Sequence, residues 1–221
     1  MKADLPFRDR TEAGRLLAAE LTHYKLKPHV VVVGLTRGGV PVAAEVAGAL
    51  HAPLDVIVVR KLGVPFQPEL AMGAIAGDAT QVLDKDLVHA LGISGKDVDA
   101  VVAKERAELE RRERLYRGSR PPLNLKDRTA ILVDDGLATG STMLAAVAFA
   151  RRRLAKRIVM AVPVAAVEAV EKLREKVDEC VCLATPEPFF AVGEWYSNFL
   201  PVNDAEVMEL LEENAKRTAA A

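Results

Sequence analysis

The chain has 221 residues, a formal net charge of −1 and a hydrophobic content of 50%. This length suits a single domain, and the balanced charge argues against a nucleic-acid surface, which usually carries a strong basic excess. No apolar run approaches the roughly 20 residues that span a bilayer, and residues 1–4 do not resemble a signal peptide, so we expect a cytoplasmic protein. Cys180 and Cys182 lack the spacing of a metal or redox motif, and we expect buried thiols.

Helices and strands alternate along the first half of the chain. Asp9, with Glu12 three residues later, predicts the start of a first helix over 9–21. The elements predicted next are a buried strand at 30–34, a helix at 38–50, a second buried strand at 54–59, two short strands within 71–83 and a helix at 84–91. A long helix follows from Ser94 to about Arg117. Its charges alternate in sign, which favours a solvated or interface helix over a nucleic-acid face.

The second half continues this alternation. The strands predicted here are 129–133, 157–162 and 180–184, and the helices are 140–153 and 164–176. Together the elements predict an α/β fold, an open and mostly parallel twisted sheet flanked by helices. We expect one domain over 1–221, with a helical excursion at about 84–120 and a small hood subdomain at about 185–202. Because ligands bind beyond the C-terminal ends of such strands, the loops that follow the strands should converge.

The most informative stretch covers residues 131–143. A buried strand is followed by Asp134 and Asp135, and then by a small-residue loop that leads into an apolar helix. Backbone N–H groups and hydroxyls at a helix N-terminus suit a phosphate. The two acids would repel a bare polyphosphate but suit sugar hydroxyls, so the stretch predicts a site for a phosphorylated ribose. A nucleotide-triphosphate P-loop is excluded, because the glycine spacing is one residue short and the lysine is missing.

Residues 133–142 resemble the phosphoribosyl-pyrophosphate (PRPP) motif of type I phosphoribosyltransferases. The likeness extends over nearly the whole chain and is greatest to uncharacterised phosphoribosyltransferases of bacteria and archaea. The resemblance implies the type I phosphoribosyltransferase fold, with Asp134 and Asp135 on the ribose 2- and 3-hydroxyls. It also implies Mg²⁺, which would reach these two acids indirectly, through PRPP. The loop that the resemblance places around the 5-phosphate consists of Ala138, Thr139, Gly140, Ser141 and Thr142.

The loop after the first strand resembles the short pyrophosphate loop of the same family. A tight turn would explain its glycines equally well. By the resemblance, the pyrophosphate contacts are Thr36, Arg37, Gly38 and Gly39. The family often has a non-proline cis peptide here, and we expect one between Leu35 and Arg37.

Two adjacent cations, Arg60 and Lys61, follow the second strand. They resemble the Arg-Lys-x-Gly opening of the flexible catalytic loop in adenine- and orotate-type enzymes. We therefore predict that residues 62–69 form a loop that closes over the site and excludes water. Glu69 is the nearest candidate for an acid or base, and Glu194 is the next.

Five of the ten aromatic residues lie within 185–199. Aromatic rings could stack on a planar ligand, or they could form a hydrophobic flap over the sheet edge. The segment 190–193 resembles the Phe-Val-Val-Gly of hypoxanthine/guanine-type enzymes, which implies that Phe190 and Trp195 stack on a base. The chain departs from that pattern at three points. It has no lysine in 181–184, Ser197 stands where those enzymes have a magnesium-binding Asp, and Ala138 replaces their catalytic Asp.

Taken together, the resemblance implies Mg²⁺-dependent transfer of phosphoribosyl from PRPP to a nucleobase or related amine, with release of pyrophosphate. The family is often dimeric, which leaves a homodimer open. The balanced charge and the lack of a long apolar run argue against nucleic acid and membrane as partners. The alternative is a regulatory protein of the same fold that binds PRPP or a nucleotide without turnover. The balanced charge and the cations Arg60 and Lys61 favour catalysis.

Overall fold

A computed structural model of the protein describes residues 4–78, 80–118 and 120–219. In chain order its elements are α1 (Arg10–Glu20), β1 (Val30–Leu35), α2 (Gly39–Leu50), β2 (Leu54–Ile57), β3 (Val59–Val64), β4 (Gln67–Ala76), β5 (Thr80–Leu83), α3 (Lys85–Ala90), α4 (Gly95–Arg117), β6 (Thr129–Val133), α5 (Ser141–Arg152), β7 (Arg157–Val164), α6 (Val167–Arg174), β8 (Glu179–Ala184) and α7 (Asp204–Ala219). Short 3₁₀ helices lie at Thr22–Tyr24 and Val192–Trp195. Within these described ranges, no helix has both the length and the apolar character needed to cross a membrane.

The core of the fold is a five-stranded sheet in the order β2-β1-β6-β7-β8, with every neighbouring pair parallel. Every residue of β1 is buried, as expected for a strand covered on both faces. Val30 and Val32 belong to the core shared with α1, α2 and α7, whereas Val31 and Val33 belong to the core shared with α5 and α6. The predicted α/β fold with a parallel sheet is confirmed.

A smaller antiparallel sheet, β3-β4-β5, lies between α4 and α5. It corrects the predicted loop at 62–69, because β3 continues to Val64 and β4 already begins at Gln67. Leu62 and Val64 are buried against α4, and this burial favours a strand. Pro65 lies in the turn and Pro68 in an irregular part of the ladder, where a missing N–H is tolerated.

Two of the predicted helix starts are confirmed by their caps. The Asp9 carboxylate accepts a hydrogen bond from the Glu12 backbone N–H at 2.8 Å, and Ser94 Oγ accepts one from the Asp97 N–H at 3.2 Å. Other boundaries shift by a few residues. β7 extends to Val164, and the helix that was predicted from 164 therefore begins only at Val167.

The C-terminal helix α7 is not among the elements that the sequence analysis predicts. Val207 and Leu211, four residues apart, bury one side of this helix. Asn214 is also buried; its Oδ1 accepts the Leu54 N–H at 2.7 Å and its Nδ2 donates to the Ala52 carbonyl at 3.3 Å. These hydrogen bonds fasten α7 to the edge strand β2 and so fix the position of Asp204, the first residue of the helix.

We expect Asn214→Ala to lower the free energy of unfolding by about 1–3 kcal/mol, because it leaves the buried N–H of Leu54 and carbonyl of Ala52 without partners. Urea denaturation measures this difference. Asn124→Ala is the matched control, since the exposed Asn124 side chain only accepts a hydrogen bond from the Lys126 N–H. Equal stability of the two variants would contradict the anchoring role of Asn214.

Cys180 and Cys182 are free thiols on β8, partly rather than fully buried. Burial raises the pKa of Cys182 from 9.0 to about 11, because the thiolate is disfavoured away from water. In a Cys180→Ser variant, the rate of alkylation by iodoacetamide should therefore keep rising between pH 9 and about pH 11. The unfolded variant is the control, and its rate should level off earlier. A folded profile that superimposes on the unfolded one would contradict the buried environment.

Candidate active site

The acid pair, Asp134 and Asp135, directly follows β6 at the C-terminal edge of the parallel sheet. The Asp135 N–H donates to Asp134 Oδ1 at 2.9 Å. Burial raises the pKa of Asp134 well above its usual range, and the charge of Asp135 raises it further. Burial also raises the pKa of Asp135, whereas the nearby Arg10 guanidinium opposes that rise. The pair is thus a desolvated acceptor site that suits hydroxyl donors.

The predicted 5-phosphate loop connects the acid pair to the N-terminus of α5. Gly140 adopts the left-handed conformation with φ 73°, and no side chain caps the helix that begins after it. The hydroxyls of Thr139 and Ser141 lie 3.1 Å apart on this loop. The Ser141 N–H donates to Thr139 Oγ1 at 3.4 Å. The N–H groups that follow it in the first turn lack partners within the helix and can bind an anion here.

The predicted pyrophosphate loop connects β1 to α2. The Thr36–Arg37 peptide bond is cis, so the predicted non-proline cis peptide is present. The Thr36 hydroxyl is buried and has no hydrogen-bond partner among the described residues. A buried hydroxyl of this kind normally finds a partner, and a ligand oxygen would provide one.

The pyrophosphate loop and the acid pair are in direct contact. A Cβ atom on Gly38 would overlap the carboxylate of Asp135, and one on Gly39 would lie 2.6 Å from the Val133 carbonyl oxygen and 2.8 Å from Asp134 Cα. Only glycine allows so close an approach. Two of the loops that the sequence predicted to converge therefore form one continuous surface.

The two predicted cations have partners outside this surface. Arg60 lies on β3 and donates to Glu105 of α4 at 2.8 Å, while Lys61 donates to the backbone carbonyl of Glu69 at 2.8 Å. The Glu69 side chain is 98% exposed and makes an ion pair with Lys61 at 3.6 Å. Glu194, the second candidate acid or base, is also exposed. Within the described chain, these hydrogen bonds go to the hairpin and to α4, away from the acid pair.

The aromatic residues of the hood pack mainly on one another. The rings of Phe189 and Trp195 are stacked with centroids 6.1 Å apart, and those of Tyr196 and Phe199 are 5.0 Å apart. Phe190, the predicted stacking residue, is 77% exposed. The Trp195 indole N–H is buried without a hydrogen-bond partner in the described part of the chain. Most of the hood is therefore a small hydrophobic cluster, in which Phe190 does not take part.

Sequence reasoning missed two polar groups that hold the acid pair from the hood side. Arg10 Nε donates to Asp135 Oδ2 at 2.8 Å, and Nη2 forms an ion pair with the same oxygen at 2.8 Å. The Tyr196 hydroxyl donates to the backbone carbonyl of Asp135 at 2.5 Å. Neither contact has a sequence pattern, because each joins residues far apart in the chain.

Asp204 was also missed, and it connects the pyrophosphate loop to α4. Its Oδ1 accepts the Tyr116 hydroxyl at 2.6 Å and Arg37 Nη1 at 3.4 Å. The hydrogen bond from Tyr116 lowers the pKa of Asp204, so this carboxylate stays ionised beside Arg37. Tyr116 also lines a cavity of about 450 Å³ between α4 and α5, and none of the predicted site residues lines that cavity.

The close approach at Gly38 leads to a sharp expectation for Gly38→Ala. Gly38 has a φ of −61°, which any residue adopts, so the new methyl group acts only by displacing the Asp135 carboxylate. We expect the affinity for PRPP, measured by calorimetry, to fall about a hundredfold. The control is Gly95→Ala at the start of α4, where a Cβ meets nothing within 4 Å. Unchanged affinity in Gly38→Ala would contradict the continuous surface.

Known proteins are similar to this chain in sequence and in fold. The model of the phosphoribosyl transferase domain family matches residues 10–197. A Mycobacterium tuberculosis (strain H37Rv) protein, provisionally named a phosphoribosyl transferase, is 50% identical over 206 residues, which are 93% of this chain and 46% of that protein. The chain thus spans about half the length of the curated relatives it matches.

Solved structures show the same similarity. TT1426 from Thermus thermophilus, known from a crystal structure, is 42% identical in sequence to this chain. The alignment covers 95% of this chain and 99% of TT1426, with a TM-score of 0.79. A hypothetical protein from Neisseria gonorrhoeae, solved with bound ppGpp, has 15% identity and a TM-score of 0.52 over 96% of this chain and 98% of its own, which shows a shared fold alone. The family match includes the acid pair and both of the predicted phosphate loops, and the chain belongs to the phosphoribosyl transferase domain family.

Proposed function

We propose that this chain transfers the phosphoribosyl group of PRPP to a nitrogen of a nucleobase or related amine and releases pyrophosphate. In this proposal Asp134 and Asp135 accept hydrogen bonds from the ribose hydroxyls. The 5-phosphate occupies the N-terminus of α5, and the pyrophosphate occupies the loop with Arg37. Membership of the phosphoribosyl transferase domain family supports the class of reaction.

The observation that carries the proposal is the contact between the pyrophosphate loop and the acid pair. The two glycines of that loop leave no space for a side chain beside Asp134 and Asp135. A ligand on this surface would therefore meet a desolvated acid pair, the open N-terminus of α5 and the unpartnered Thr36 hydroxyl within one site. PRPP combines hydroxyls with a phosphate and a pyrophosphate, and these groups match all three features.

In the proposed reaction, a bond forms between the acceptor nitrogen and the anomeric carbon while the bond from that carbon to pyrophosphate breaks. Pyrophosphate leaves with the electron pair, and the acceptor nitrogen loses its proton. Positive charge develops at the anomeric carbon, so catalysis rests on orientation and electrostatic stabilisation. In this proposal Arg37, whose Nη1 lies 3.4 Å from Asp204 Oδ1, supplies positive charge to the leaving pyrophosphate.

The site also fits a magnesium ion that is carried by PRPP. No group of three or more His, Cys, Asp or Glu side chains that could hold a metal is found in the described residues. Mg²⁺ keeps several waters and needs few protein carboxylates beside phosphate oxygens, so Asp134 and Asp135 would meet the ion only through the ribose hydroxyls of PRPP. When bound, the ion would neutralise charge on the pyrophosphate.

The second candidate is a protein that binds PRPP or a nucleotide without turnover. Exposure of the candidate acid or base Glu69 and of the candidate stacking residue Phe190 favours it. The pairing of Arg60 with Glu105 also engages one proposed catalytic cation with α4. For the enzyme, we propose that Arg60, Lys61 and Glu69 act only after the β3-β4 hairpin and α4 rearrange around the substrates.

Incubation of the protein with radiolabelled PRPP, Mg²⁺ and a panel of nucleobases tests the two candidates. We expect pyrophosphate release with at least one acceptor. Asp134→Asn and Asp135→Asn should lower kcat/KM for PRPP by about a hundredfold or more, because each puts an amide NH₂ in place of a carboxyl oxygen that binds a ribose hydroxyl. Tight PRPP binding without release for every acceptor would favour the regulatory protein. Failure to bind PRPP would exclude both.

A further inference from the structure

Arg10, at the start of α1, makes one of the contacts that join the acid pair to the rest of the molecule. Its Nε and Nη2 atoms both lie 2.8 Å from Asp135 Oδ2, and its Nη1 donates to the Leu200 carbonyl at 2.8 Å. The guanidinium also lies over the ring of Phe199, with its central carbon 3.9 Å from the ring centroid. Every nitrogen of this guanidinium therefore has a partner, and its orientation is fixed.

This arginine is itself almost removed from water. Its side chain is 11% exposed, and that of Asp135 is 14% exposed. A planar guanidinium holds a carboxylate in one orientation better than an ammonium does, and stacking on an aromatic ring restricts it further. Arg10 contacts one carboxylate oxygen, Oδ2. Asp135 is thereby held in a single orientation for a ligand that approaches its other oxygen.

Backbone hydrogen bonds near Arg10 also connect the N-terminal segment to the hood. The Phe7 N–H donates to the Trp195 carbonyl at 2.8 Å, and the Ser197 N–H donates to the Phe7 carbonyl at 2.7 Å. The Tyr196 hydroxyl, between these two hood residues, reaches the Asp135 carbonyl at 2.5 Å. Both the backbone and the carboxylate of Asp135 are thus held by the hood and the N-terminal segment acting together.

We propose that Arg10 is a positioning residue, which orients the Asp135 carboxylate for a ribose hydroxyl and joins the donor site to the hood through Leu200 and Phe199. This inference rests on the proposed use of PRPP and deepens it. Arg10 acts through Asp135 and need not touch the substrate. Its removal should therefore weaken PRPP binding far more than it changes the turnover of bound substrates.

The test measures PRPP affinity of the full chain by calorimetry with Mg²⁺, and KM and kcat for PRPP with whichever acceptor is active. Arg10→Met should weaken PRPP binding and raise KM roughly tenfold to a hundredfold, with kcat changed less than about threefold. Arg10→Lys keeps the charge without the planar fork and should restore part of the affinity. Arg15→Met is the control, because Arg15 lies on the same helix, is 65% exposed and pairs with Glu45.

A double-mutant cycle separates positioning from general stability. If Arg10 acts through Asp135, adding Arg10→Met to Asp135→Asn should weaken PRPP binding by less than about twofold further. The single tryptophan of the chain, Trp195, provides a second readout. Its fluorescence should change when PRPP binds to the wild type, and this change should be lost in Arg10→Met.

Three results would overturn the proposal. The first is wild-type PRPP affinity in Arg10→Met. The second is full additivity of the Arg10→Met and Asp135→Asn effects on PRPP affinity, and the third is an equal loss of PRPP affinity in Arg10→Met and Arg15→Met. If Arg10→Met does not fold, as judged by its thermal unfolding, Arg10→Lys and its own cycle with Asp135→Asn decide in its place. Absence of PRPP binding in the wild type is a different result, since it refutes the proposed function before any variant is compared.

Discussion

The constraint on which the rest of the site depends is the burial of two neighbouring carboxyl groups at the end of β6. Burial raises the pKa of both groups, and the charge of Asp135 raises that of Asp134 further. Two buried carboxyl groups need nearby hydrogen-bond donors or positive charge to offset the loss of hydration and the repulsion between them. The fold provides Arg10 on one side and, on the other, a loop whose glycines let its backbone lie directly against the acids. The N-terminal helix, the pyrophosphate loop and the hood are all placed around this one pair.

The parts of the site that could be predicted from the sequence are those formed by short continuous segments. The acids, the predicted 5-phosphate loop and the start of α5 follow one another within about a dozen residues, so their proximity is local. The pyrophosphate loop is distant in sequence, yet a parallel sheet brings it near. β1 pairs with β6 so that Gly34 lies opposite Val133, and the loops after both strands leave at the same edge.

The parts that could not be predicted depend on side chains that meet only after the chain has folded. Arg10 and Asp135 are 125 positions apart, and Tyr116 and Asp204 are 88 apart. No periodicity marks such polar pairs. The hairpin at 62–69 was missed for a different reason, since the loop was predicted from the resemblance of Arg60 and Lys61 to the opening of a flexible loop, and the buried alternation of Leu62 and Val64 was not weighed. The helix α7 did carry an amphipathic pattern, and a count of its apolar spacing would have found it.

The packing of the hood links its sequence to the position of Asp135, so the differences between this hood and that of hypoxanthine/guanine-type enzymes bear on the donor site as well. Its aromatic side chains form a cluster with Phe7, whose ring lies 5.5 Å from that of Tyr196, and the hood backbone pairs with the N-terminal segment. A hood fastened in this way cannot shift without moving Tyr196 and Arg10, and both of them hold Asp135. The surface proposed to recognise the acceptor and the acid proposed to hold the donor are therefore parts of one packed unit. A change in the hood that alters acceptor choice in this chain should also alter the affinity for the donor.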